Sequence, residues 1–232
     1  MEKMNMTRFI KDIKEIVKNP IDNIYYKHDE TNMLKGYALI IGPVDTPYAY
    51  GNYLFEFTFP TNYPFDPPKV TYFTNDGSTR FNPNLYIDGK VCLSVLNTWK
   101  GEGWSSCQNI RSILLVLSTV LNEMPIENEP GLTRENKDNT NYNNMIKYKN
   151  LEIAIIGMLS KKQLDHRFVI FYDIIVENFL QNQKDIWLFL EKLKIDLANP
   201  DNFIINFNLY NSKYIINLAS LELKLKKFDN IQ

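Results

Sequence analysis

Cysteine, histidine and net charge are all scarce in this sequence. Its 232 residues include two cysteines, Cys92 and Cys107, and two histidines, His28 and His166. So few thiols exclude a disulfide-rich secreted scaffold and a cysteine-rich zinc site, and they fit a reduced, intracellular compartment. The formal net charge is −1, which argues against a nucleic-acid binder working by bulk electrostatics. Long apolar runs are missing too. The longest candidate, Leu151 to Leu159, is broken by Glu152 and falls short of the ~20 residues that a membrane-spanning helix needs. No cationic start leads into an apolar core and a small-residue cleavage site, so no leader is expected. What the chain does have is a 44% hydrophobic share, enough for one good core or one core with a helical appendage.

Taken in order, the residues predict an α+β arrangement. Phe9, Ile10, Ile13, Ile16 and Val17 recur at helical spacing and end at Asn19-Pro20, so the first element is an amphipathic helix. Arg8, Lys11, Lys14 and Lys18 lie off that stripe, on either a solvated or a partner-docking face. Strand-like pieces follow at Ile24–Lys27, Met33–Ile41, Tyr53–Phe59 and Val70–Phe73, joined by turn residues. Their short links suggest an antiparallel meander. In YLFEFTF, alternation of Tyr53, Phe55, Phe57 and Phe59 with Leu54, Glu56 and Thr58 reads as a half-buried strand. Prolines at Tyr63-Pro64 and Pro67-Pro68 fix a turn in which a cis bond is plausible. Phe65 at its tip is either a tucked-in aromatic or an exposed anchor. A second helix runs through QNIRSILLVLSTVLNEM, with Ile110, Ile113, Leu114, Leu117, Val120 and Leu121 inward and Leu115 on another face. Thr133–Asn144 reads as a mobile polar link. Beyond it, Phe168–Leu180, Lys184–Leu193 and Tyr214–Phe228 each look like an amphipathic helix.

The stretch from Tyr63 to Trp104 is where chemistry is sought. It contains a long span rich in turn residues with Cys92 in its midst, and structureless spans beyond about 15 residues are usually functional. A thiolate is an intrinsically strong nucleophile and exchanges readily with thioesters. A buried, inert thiol is nevertheless the ordinary state of an arbitrary cysteine. Neither histidine sits in a motif with Cys92, so a cysteine hydrolase would need the fold to bring one close.

The run FEFTFPTNYPFDPPKV, then RFNPNLYIDGKVCLSVLNTW, then WSSCQNIRSILLVLSTVL resembles the ubiquitin-conjugating enzymes over roughly residues 5 to 160. The order of elements agrees. The expanded loop Asn97–Gly103, the Asn-Glu-Pro-Gly after the second helix and the YNNMIKYKNLEIAI helix look most like a larger subgroup with added C-terminal helices. The resemblance implies the conjugating-enzyme α+β fold, with a catalytic domain over 1–160 and a C-terminal helical extension over 161–232. It implies that ubiquitin or a ubiquitin-like protein is accepted on Cys92 as a thioester and passed to a lysine amine, so the Cys92 sulfur is expected to lie open to water in a shallow groove.

The same resemblance implies roles for particular residues. Asn84 matches the active-site asparagine of a His-Pro-Asn triplet, an amide able to hold the loop or to stabilise an oxyanion. Asn82 stands in place of the histidine, at a structural position, so the turn should survive with an altered hydrogen bond. Tyr86 matches a tyrosine that helps desolvate the incoming lysine, which lowers its pKa. Ser94 stands where many members carry aspartate. Glu129, or its neighbour Asn128, matches an acidic gate that could orient the amine or take its proton. Phe65, Trp104 and Leu115 match partner contacts, with Leu115 facing the donor modifier. Ser106 replaces a proline, which should loosen the loop around it. Cys107 is expected to be a small packing residue. Implied partners are the modifier, an activating enzyme and a ubiquitin ligase, with no nucleic acid and no membrane. A monomer, working in the cytoplasm or nucleus, is expected. No metal or cofactor is implied, since ATP is used by the activating enzyme. An inactive member that only binds ubiquitin or a ligase is the alternative.

Overall fold

The computed structural model describes residues 4–161, 163–198 and 203–231. The chain forms two compact units, Met1–Ile41 with Tyr53–Leu121, and Gly42–Asn52 with Asn122–Gln232.

The first unit opens with helix α1 (Met6–Lys18), capped by Asn5, whose side chain accepts the N–H of Arg8 at 3.0 Å. Its buried positions are Phe9, Asp12 and Ile16. The apolar stripe is narrower than the spacing predicts, for Ile10 and Val17 stand 43% and 65% exposed. Asp12 takes an inner place because it finds partners there. Its carboxylate accepts from Arg8 Nε and from the Tyr63 hydroxyl, each at 2.7 Å, which offsets the desolvation of the charge. Burial and the bond to Asp12 push the Tyr63 phenol well above its ordinary pKa.

Four strands follow: β1 (Ile24–His28), β2 (Lys35–Ile41), β3 (Asn52–Thr58) and β4 (Lys69–Tyr72), in the spatial order β1-β2-β3-β4 of the expected meander. β1 and β2 pair antiparallel from Ile24↔Ile40 to His28↔Gly36, and β3 and β4 from Phe55↔Tyr72 to Thr58↔Lys69. Asp29 ties the β1–β2 turn by accepting from Thr31, Asn32 and the Tyr37 hydroxyl. The bonds from Thr31, then those from Asn32 and Tyr37, hold its carboxyl well below the usual carboxylate range. The half-buried reading of β3 is corrected. Leu54 and Glu56 are 1% and 8% exposed, as buried as the aromatic face opposite. Glu56 is tolerated there because Lys35 Nζ lies 2.5 Å from its carboxylate. Helix α2 (Ile110–Thr119) closes the unit. A reciprocal pair of bonds between Asn109 and Ser112 caps it, and it buries Ile110, Ile113, Leu114 and Leu117.

The second unit contains helix α3 (Asn139–Lys149), which runs directly into a π-helical stretch, Asn150–Gly157. There Asn150 donates to the Ala49 carbonyl at 2.8 Å and Asn52 to the Ala154 carbonyl at 3.0 Å. The polar link expected up to Asn144 is therefore corrected. Asn139–Asn144 is the first part of α3, and Tyr142 and Asn144 in it are buried. The two helices expected over 168–193 are a 3-10 turn (His166–Phe171) and one 26-residue helix, α4 (Tyr172–Leu197). Gln181-Asn182-Gln183 contains no breaker, and Asn182 bonds back to Asn178 rather than ending the helix.

The helix expected over Tyr214–Phe228 is half right. Leu218–Lys226 is helix α5, but Ser212–Ile216 is a strand, β6, paired antiparallel with β5 (Phe203–Phe207). Isoleucine pairs and period-2 burial, with Ile205 and Phe207 inward, favour this hairpin over a helix. No described helix is long and apolar enough to cross a membrane.

Candidate active site

Between β4 and α2 the chain has almost no ladder of its own, and side chains supply the missing hydrogen bonds. Asn82 is fully buried. Its amide donates to the Val120 carbonyl at 2.7 Å, and its oxygen accepts the Asn84 N–H at 2.9 Å. The turn therefore survives without histidine. Gly89, at φ +86°, closes the excursion, where an added Cβ would lie 2.8 Å from the Tyr72 carbonyl oxygen.

Asn84 and Cys92 are locked together. The Cys92 N–H donates to the Asn84 carbonyl at 2.9 Å, and the Asn84 amide donates to the Cys92 carbonyl at 2.7 Å. Of the two roles open to Asn84, this is the loop-holding one. It uses one of the two amide hydrogens.

The sulfur itself corrects an expectation. A nucleophile that must meet another protein should lie open, yet Cys92 is only 3% exposed. Its Sγ–H donates to the Thr98 carbonyl at 3.0 Å. Thr98 is held in place by its own hydroxyl, which bonds to the Val91 and Leu93 carbonyls and accepts the Leu93 N–H at 2.8 Å. It belongs to the expanded loop, which turns through left-handed Asn97 (φ 55°). The Asn97 side chain accepts the Trp104 N–H at 2.8 Å. The cover is thin, for Trp99 next along is 47% exposed. A cleft of about 420 Å³, lined by Val70, Thr71, Gly89, Val91 and Leu96 among others, also reaches Thr98. No histidine supports the thiol among the described residues: His28 is bonded to the Tyr26 hydroxyl and the Met33 carbonyl.

The other expected residues fall as follows. Tyr86 is half-buried, with the Arg80 guanidinium 3.7 Å and Lys90 Nζ 5.5 Å from its ring centroid, so its face already carries cations. Ser94 opens a 3-10 turn, Ser94–Leu96. Phe65 is 46% and Leu115 43% exposed, both presented to solvent. Trp104 donates its indole N–H to the Pro64 carbonyl at 2.7 Å, which ties the second loop to the first. Lys11 is exposed. Arg8 is engaged by its own unit, since beyond Asp12 it donates to the carbonyls of Ser106 and Gln108 at 2.9 and 2.8 Å. That clamp restrains the loop expected to loosen without proline. Cys107 is exposed rather than packed.

Glu129 and Asn128 belong to the second unit. Asn128 ends a 3-10 turn, Pro125–Asn128, and Glu129 caps it. The Asn128 oxygen accepts from Asn122 at 3.1 Å, and the Glu129 carboxylate accepts the hydroxyl proton of Tyr210. Sequence reasoning missed two residues here. Thr98 carried a faint signal, as a hydroxyl in the loop following Cys92. Tyr210 carried none, being 81 residues from its partner.

A family model described as "Ubiquitin-conjugating enzyme" matches residues 8–154. Human "Ubiquitin-conjugating enzyme E2 Z" is 42% identical over 160 residues, 68% of this chain and 45% of that protein. "Probable ubiquitin-conjugating enzyme protein 17" of Caenorhabditis elegans is 38% identical over 181 residues, 73% of this chain and 23% of that protein. Human "Dual E2 ubiquitin-conjugating enzyme/E3 ubiquitin-protein ligase BIRC6" is 35% identical over 197 residues, 82% of this chain and 4% of that protein. The chain thus spans less than half the length of each of these three relatives.

Proposed function

Because this chain belongs to the ubiquitin-conjugating enzyme family, we propose that Cys92 accepts ubiquitin or a ubiquitin-like protein as a thioester and passes it to a lysine amine. The observation that carries this reading is the lock between Asn84 and Cys92, which sets the nucleophile beside an amide with one hydrogen unspent.

In charging, the Cys92 thiol gives up its proton, and with it the bond to Thr98. The sulfur then attacks the carbonyl carbon of the modifier's thioester on the activating enzyme. A new C–S bond forms, the old one breaks, and the activating enzyme's thiolate leaves and is reprotonated. In discharge, a lysine nitrogen attacks the same carbonyl carbon. The C–N bond forms, the C–S bond breaks, and Cys92 departs as a thiolate. The proton lost by the amine restores the thiol, with Glu129 as its first acceptor. The free N–H of Asn84 meets the oxyanion between these events. The partners in this scheme are the modifier, an activating enzyme that consumes the ATP, and a ligase docked through Phe65 and Trp104.

The test is incubation with activating enzyme, ATP and ubiquitin or individual ubiquitin-like proteins. A covalent adduct cleaved by added thiol and absent from Cys92→Ala supports the proposal. No adduct with any modifier would leave the chain as a binding module.

A further inference from the structure

We propose that Tyr210, in the turn of the C-terminal hairpin, is a positioning residue that fixes the Glu129 carboxylate for its work on the incoming amine. This inference rests on the transfer reaction proposed above. It brings into that reaction a segment beyond residue 154, where the family match ends.

Three observations support it. First, Tyr210 sits at φ 58°, ψ 18°, and Asn211 beside it at φ 49°. A bulky aromatic in the left-handed region is strained, and glycine or asparagine would occupy it more easily. Such strain persists where surrounding structure over-determines it, which points to a use for the side chain.

Second, the surroundings do over-determine it. The Asn211 N–H closes the turn on the Asn208 carbonyl at 2.9 Å. The Leu209 N–H donates to the buried Asp138 carboxylate at 2.9 Å, and Asn141 donates to the Asn206 carbonyl at 3.0 Å. The Tyr142 ring meets Tyr210 edge-on at 6.4 Å and Phe207 at 5.7 Å. The hairpin is anchored to the start of α3, so the direction of the phenol is set from behind.

Third, the target is prepared. The Glu129 backbone is held at both ends, its N–H on the Ile126 carbonyl and its C=O by the Leu132 N–H. What freedom is left lies in the side chain. The Tyr210 hydroxyl donates to Oε2. Oε1 has no partner among the described residues. One oxygen is anchored and the other stays open to accept from an ammonium or amine, an arrangement suited to a base that must be ready before its substrate arrives.

The test compares Tyr210→Phe, which keeps the ring and loses the hydroxyl, with Glu129→Ala and the double variant. Single-turnover discharge of modifier from Cys92 to free lysine is measured over a range of lysine concentrations. Charging rate and melting temperature are followed in parallel as checks on folding. The expected result is that Tyr210→Phe slows discharge roughly 10-fold at saturating lysine, the scale of one hydrogen bond to a charged group. Glu129→Ala should slow it further, and the double variant should match Glu129→Ala, because Tyr210 acts only through that carboxylate. Discharge at the wild-type rate in Tyr210→Phe while Glu129→Ala is slow would overturn the inference. So would losses that multiply in the double variant. Normal discharge in Glu129→Ala removes both the gate role and the inference but leaves thioester chemistry standing. A wild-type chain that forms no thioester removes all three.

Discussion

The span around Cys92 and the hairpin Phe203–Ile216 solve the same problem in opposite ways. Each must hold a short stretch of backbone in a fixed place. The span does so with polar side chains acting one at a time: Asn82 serves two backbone groups, Asn84 one and Thr98 three. The hairpin does so with a regular ladder backed by aromatic rings, Phe207 stacked on Tyr214 at 6.0 Å and meeting Tyr142 edge-on at 5.7 Å. Stability in the hairpin is spread over many apolar contacts. In the span it is concentrated in a few donors and acceptors, and those lie beside the sulfur. Changes in the span should therefore be read in reaction rates, and changes in the hairpin core in melting curves.

The largest expected effect is in the span: Cys92→Ala abolishes the thiol-cleavable adduct, seen as loss of the shifted band on a non-reducing gel. In the hairpin, Phe207→Ala should lower stability by roughly 3 kcal/mol, the usual penalty for emptying a buried phenylalanine site, measured by denaturant titration. A loss this large in charging rate with no change in stability would break the comparison. Asn84→Ala should charge but discharge about 10²-fold more slowly, the scale of one oxyanion donor. Equal loss in both steps would show that the amide serves only to hold the loop. Thr98→Val removes the hydroxyl at constant shape. In a Cys107→Ser background it should raise alkylation of Cys92 by about 10-fold, the worth of one hydrogen bond. An unchanged rate would mean that the hydroxyl does not hold the cover.

The smallest effect concerns Asp29, far from either region. Its folded pKa is depressed, chiefly by Thr31, so its stabilisation is present above the ordinary carboxylate pKa and fades as pH falls toward the folded value. Asp29→Asn should lower the melting temperature near neutrality, where the ionised carboxylate ties the turn, and flatten its fall below about pH 4.

Much of this contrast was legible in the residues, and what was not has physical causes. The meander could be read because turns and β-branched or aromatic runs alternate cleanly from Ile24 to Tyr72. Asn84 and Cys92 are brought together by the family resemblance, whose motif places them eight residues apart along one excursion. Burial of Asp12 could not be read, since it depends on Arg8 and on Tyr63, 51 residues away. The cover over Cys92 depends on where the Thr98 backbone carbonyl points, and a carbonyl leaves no mark in sequence. Strand β6 reads as helix in the sequence because Tyr214–Phe228 mixes lysines and apolar residues at spacings that suit either element. Only pairing with β5 decides between them.

Trp99 gives the thin cover over the sulfur an optical consequence. It follows Thr98 directly and stands about half in water, at 47% exposure. The chain has two other tryptophans, and both are bonded through their indole nitrogens, Trp104 to Pro64 and Trp187 to Asp229. Charging as proposed breaks the bond from Cys92 to the Thr98 carbonyl, and Trp99, joined directly to Thr98, is expected to change its surroundings with it. The expected outcome is a change in tryptophan emission on charging, measured by stopped flow and absent from a Trp99→Phe chain.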